Sequence, residues 1–94
     1  MVAIKGLLSE IKTSLLFFDI FIEIYIFGSI LHSDLANDID ILILYYNQDD
    51  LLHIKNSFIS LSFEYPLDIY YMTLEEVKEL EFINKTKAIN ISEF

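Results

Sequence analysis

Phe27-Gly28-Ser29, then an eight-residue spacer, then Asp38-Ile39-Asp40-Ile41: this stretch decides how the chain folds. It sets a Gly-Ser turn directly after one apolar strand and a pair of carboxylates at the start of the next. Upstream, Ile22, Ile24 and Ile26 alternate with Glu23, Tyr25 and Phe27, the period of a strand over Ile20 to Phe27. Gly28 ends it, and residues 29–36 read as a turn or a single helical turn. Asn37 to Tyr46 is a second strand. Its first half alternates Asp38 and Asp40 with Ile39 and Ile41. Its second half, Leu42-Ile43-Leu44-Tyr45, is apolar on both faces, as in a strand covered on both sides.

The flanks supply helices. Ile4, Leu7, Leu8, Ile11, Leu15 and Phe18 recur at three- and four-residue steps, which predicts a helix over residues 2–19. After the polar break Asn47-Gln48-Asp49-Asp50, whose aspartates suit a helix N-cap, Leu51 to Phe63 repeats the helical stripe with Leu51, Ile54, Phe58 and Leu61. Pro66 opens a third strand, Leu67 to Met72. Thr73-Leu74-Glu75-Glu76 has the form of a capping box and starts a third helix to about Lys85. Ala88 to Ile91 can add a short edge strand. The expected fold class is therefore α/β (α+β): a small mixed sheet of three to four strands with helices packed on it, in one domain spanning 1–94. A tight turn favours antiparallel pairing of the first two strands. A helical crossover makes the second and third parallel.

Charge and composition narrow the functions. The net charge is −9 and the chain has six lysines and no arginine, which opposes general nucleic-acid binding, because phosphate backbones are held chiefly by Lys and Arg. Without cysteine there is no disulfide framework and no cysteine-based zinc site. The most apolar run, Leu15 to Leu31, is interrupted by Asp19 and Glu23 and is a poor membrane span. The N-terminus lacks the order of a signal peptide, so a cytoplasmic location is expected. With 54% apolar residues, so small a domain has more apolar surface than its core readily hides, and a partner or a second copy is expected to cover some of it.

Side chains two apart on a strand share a face, so Asp38 and Asp40 are expected to project together. Asp68 starts the next strand at similar depth, and three carboxylates can converge at one end of the sheet. At about 5 Å and an effective dielectric of about 20, each pair repels by about 3 kcal/mol. A divalent cation relieves that repulsion, and oxygen-only ligands select a hard one, Mg²⁺ or Mn²⁺. Gly28-Ser29 beside them can admit a phosphate close to the backbone.

The pattern apolar-Gly-Ser, spacer, Asp-x-Asp, then a third acidic residue on a later strand resembles the nucleotidyltransferases of the DNA polymerase β superfamily, and among them the minimal nucleotidyltransferases of bacteria and archaea. The resemblance covers roughly residues 20–72. It implies the polymerase-β-like fold, with Asp38 and Asp40 holding two Mg²⁺ ions (or Mn²⁺) and Asp68 completing the metal that activates the attacking hydroxyl. It implies that Gly28 and Ser29 hold the β- and γ-phosphates of ATP. It further implies transfer of AMP to a hydroxyl, as in family members that act as antitoxins on a HEPN-domain toxin. The chain departs from the family where Gly-Ser-x-Ala-Arg-Gly is customary: here Gly28-Ser29-Ile30-Leu31-His32-Ser33 has no arginine to meet the triphosphate.

That departure keeps two other functions open. One is a non-catalytic antitoxin or assembly subunit that retains the fold. The other is transfer to a small molecule such as an aminoglycoside. Other candidates read as scaffold: His32 as a loop residue, His53 as a solvated helical residue, Glu64 as a loop residue before Pro66, Tyr70 and Tyr71 as sheet packing. Tyr70 shares the face of Asp68. Glu75, Glu76, Glu79 and Glu81 read as a solvated acidic face, with binding of a basic partner as the alternative.

Overall fold

The computed structural model describes residues 4–16, 18–32 and 38–94. Residues 2, 3 and 17 of the expected first helix, 33–36 of the expected turn, and Asn37 of the expected second strand lie outside the described residues. The first helix, α1, runs Ile4–Leu16 and buries Leu7, Leu8 and Ile11. It stops short of residue 19. Phe18 instead packs edge-on against Phe58 and stacks flat on His53, 5.7 Å between ring centres.

Strand β1 is Glu23–Phe27 and β2 is Ile39–Tyr45. They pair antiparallel from Glu23↔Leu44 to Phe27↔Asp40. β1 begins three residues later than its alternation predicts, because β2 ends near Glu23's partner and leaves Ile20 to Ile22 no strand to pair with among the described residues. A 3₁₀ turn, Ser29–Leu31, follows β1. After β2 comes a second 3₁₀ turn, Gln48–Asp50, capped by Asn47, whose side chain accepts from Asp49 N–H at 2.9 Å. The expected aspartate cap is thus corrected: Asp50 has helical backbone angles and makes no side-chain cap bond.

Helix α2, Leu51–Glu64, buries Ile54, Phe58 and Leu61 and takes Glu64 out of the loop expected for it. Strand β3, Leu67–Thr73, pairs parallel with β2. The capping box forms: Glu76 N–H donates to Thr73 Oγ1, and Thr73 N–H donates to Glu76 Oε1 at 3.0 Å. One expected acidic-face residue is therefore bound to the backbone. The third helix is two helices, α3 (Leu74–Leu80) and α4 (Phe82–Thr86), separated by Glu81 at φ 49°. Strand β4, Ile89–Asn90, lies antiparallel to β1, and a last 3₁₀ turn covers Ile91–Glu93.

The result is a four-stranded mixed sheet in the order β3-β2-β1-β4. Its two faces differ. Ile39, Ile41, Ile43 and Tyr45 of β2 join Ile24 and Ile26 of β1 beneath α1 and α2, the larger core. Leu42, Leu44 and Phe27 meet Val77 on the other face, with Tyr25, Phe82 and Ile83 packed around them. β2 is thus covered on both sides, as its apolar half predicts. No helix among the described residues is long and apolar enough to cross a membrane.

Candidate active site

The second, thinner face carries the carboxylates. Parallel pairing puts Asp40 directly beside Asp68, and antiparallel pairing puts Phe27 directly beside Asp40 on its other flank. One row across the sheet therefore reads Phe27, Asp40, Asp68. Cross-strand neighbours share a face, so both carboxylates project to the α3 side. Asp38 lies just before β2, at a bend and exposed, rather than within the strand. Its charge still acts on Asp40.

Asp40 is the common neighbour of the group. It is half-buried, whereas Asp38 and Asp68 are exposed. Burial pushes its carboxyl above the usual carboxylate range, the negative charges of Asp68 and then Asp38 push the same way, and a hydrogen bond with Asp68 adds to the effect. A divalent cation held between these carboxylates would relieve the same like-charge repulsion. Among the described residues, no group of three or more His, Asp or Glu side chains closes into a metal-holding cluster. The donor set is nonetheless all oxygen and open to solvent on two of its three members, and it fits a hard cation by type.

Gly28 ends β1 at φ 85°, ψ −161°, a backbone region open chiefly to glycine. A Cβ there would fall 2.9 Å from Asp40 Cγ and closer still to Oδ2. Gly28 is therefore the space in which the Asp40 side chain sits. The sequence suggested a phosphate approach at this position; the room made for Asp40 depends on the β1–β2 register and has no local signal. Ser29 is exposed at the start of the 3₁₀ turn, whose first N–H groups have no partner within the turn. His32 closes that turn, donating its N–H to Ser29 O at 3.0 Å, and its side chain is exposed.

Aromatic rings border the carboxylates. Phe27 lies 5.4 Å from Tyr70 and 5.0 Å from Phe82, and Tyr70 lies 5.9 Å from Phe82, between ring centres. Tyr70 is two residues beyond Asp68 on the same face and stays 43% exposed. Tyr70's place follows from strand alternation. Phe82 had no such signal, because it reaches the site only through the backbone reversal at Glu81. Three hollows on the described surface lie elsewhere: around α4, between α1 and α2, and along residues 15–22. His53 is exposed with Nε2 3.8 Å from Asp19, and Glu64 lies against Glu10; both are remote from Asp40 along the sheet's other face. Comparison of the chain with family models, with curated proteins and with solved structures finds no match.

Proposed function

We propose that the chain is a metal-dependent nucleotidyltransferase of the minimal, polymerase-β-like kind, which transfers AMP from ATP to a hydroxyl of a partner protein. The observation that carries this is the side-by-side register of Asp40 and Asp68 with Gly28 packed against Asp40. It joins the Gly-Ser turn, the Asp-x-Asp pair and the later aspartate into one locus at one end of the sheet.

Asp38, Asp40 and Asp68 would hold Mg²⁺ or Mn²⁺. The ion supplies positive charge between a carboxylate group and a triphosphate that otherwise repel. Gly28 and Ser29 would bind the β- and γ-phosphates through backbone N–H groups and the Ser29 hydroxyl. The acceptor oxygen bonds to the α-phosphorus, the α–β phosphate bond breaks, pyrophosphate leaves, and the hydroxyl proton passes to a site carboxylate. The acceptor hydroxyl would be supplied by a partner protein, such as a HEPN-type toxin neutralised by AMP transfer. ATP chemistry of this kind belongs in the cytoplasm.

A second reading has its own support: the chain contains no arginine to stabilise the triphosphate. In that case it is a non-catalytic antitoxin or assembly subunit. Intact-mass spectrometry after incubation with ATP, Mg²⁺ and the product of the adjacent reading frame separates the two. Catalysis adds one or more AMP to the neighbour, and Asp38→Ala with Asp40→Ala abolishes it. A stable complex without mass gain, retained by the double variant, supports the binding subunit and overturns transfer.

A further inference from the structure

We infer that the outer face of α2 is a self-association surface, on which a second copy of this chain docks its own α2 in parallel across a two-fold axis. The helix has two apolar stripes where a surface helix normally has one. Ile54, Phe58 and Leu61 fill the core. On the opposite side Leu52, Ile59 and Phe63 stand 71%, 55% and 84% exposed. With Asn56 they occupy positions 52, 56, 59 and 63, a four-three-four spacing. That is the seam of a helical pair, with Leu52 and Ile59 at one core position of the heptad and Asn56 and Phe63 at the other.

Two observations argue for a second copy and for its orientation. The first is charge. Each chain carries −9, so two copies repel in general, yet Leu51 to Phe63 is the longest run in the chain without Asp or Glu. The residues flanking the seam are His53, Lys55, Ser60 and Ser62, all exposed. In a parallel pair Lys55 faces Ser60 of the other copy, so no like charges meet between Leu51 and Phe63. The second is Asn56. In an antiparallel pair its amide would lie against Ile59; in a parallel pair it meets its own counterpart, where two amides satisfy each other and fix the register. The seam lies on the side of the sheet away from Asp40 and Asp68, so pairing leaves the carboxylates open. A seam of about two heptads falls below the standard interface of about 800 Å² per partner, and exchange between monomer and dimer is expected to be rapid.

Sedimentation velocity on the full chain, from about 1 to about 200 µM, tests this. The expected result is a concentration-dependent shift from monomer to dimer. Ile59→Glu, at an exposed position, weakens the association by about 100-fold or more while far-ultraviolet circular dichroism stays unchanged. Asn56→Leu strengthens it and admits larger assemblies. Because the chain has no cysteine, Asn56→Cys reports the register alone: it forms a covalent dimer on mild oxidation. A chain that stays monomeric throughout, or a dimer indifferent to Ile59→Glu, overturns the surface. A dimer that Asn56→Cys fails to cross-link overturns the parallel arrangement.

Discussion

At Gly28 two demands coincide: a backbone at φ 85° and an open space for the Asp40 side chain. Gly28→Ala meets neither. It is expected to cost about 2 kcal/mol or more in urea unfolding and to displace Asp40, whereas Ser29→Ala at the exposed neighbouring position stays within about 0.5 kcal/mol. Asp40 gives a pH signature. Its carboxyl titrates above the ordinary 3.8 in the folded chain, so the folded state binds the proton more tightly than the unfolded state does. The ionised form therefore lowers stability at neutral pH. That penalty disappears as pH falls through the raised value toward the ordinary one. In a metal-free chelator buffer, Asp40→Asn should melt above the wild type at pH 7, with the gap closing toward pH 4. Equal melting at pH 7 would show that the crowding of Asp40, Asp68 and Asp38 carries no cost. The carboxylates themselves were legible in the sequence, since strand alternation and similar depth suffice to align Asp40 with Asp68. The place of Gly28 against Asp40 was not, because it depends on how far two strands slide past each other.

Among the elements, the strands and α2 follow from periodicity, and the errors concentrate where tertiary contacts overrule it. Ile20 to Ile22 alternate like a strand but have no partner strand among the described residues, and Phe18 leaves the helical stripe for Phe58 and His53. The third helix gives the clearest case. Its local pattern runs unbroken from Leu74, yet Glu81 at φ 49° turns the chain so that Phe82 reaches Phe27 and Tyr70. Lys87 at φ 56° ends α4, and Ala88 N–H donates back to Ile83 O at 3.2 Å, the closing bond of a left-handed helix stop. Neither residue is the glycine that such a backbone favours. Lys87→Gly should raise stability by up to about 1 kcal/mol, the relieved left-handed strain exceeding the added freedom of the unfolded chain. Thermal unfolding at fixed pH measures it, and a lower melting temperature would place the Lys87 side chain among the groups that hold α4.

For the whole molecule, the inequality of the two sheet faces sets where stability resides. By the usual scale of about 0.05–0.15 kcal/mol per residue, the entire chain has about 5–14 kcal/mol in hand. Ile43, 1% exposed beneath α1 and α2, belongs to the larger core. Ile43→Ala should cost about 2–5 kcal/mol, enough to leave part of the population unfolded near physiological temperature. A cost well under that range in calorimetry would locate the main core elsewhere. The thinner face can bear an expensive carboxylate group only because the other face carries most of the burial. The order β3-β2-β1-β4 also leaves the outer edge of β3 unpaired among the described residues. Such an edge is a template for fibril growth, and a charge set on it is the usual guard. Asp68 occupies that strand between Leu67 and Ile69. Asp68, which the proposed function would set at a metal ion, is also the one charge on that strand: neutralising it as Asp68→Asn removes a repulsive charge from the sheet's edge, and a variant made to test the site is expected to stack into fibrils more readily than the wild type.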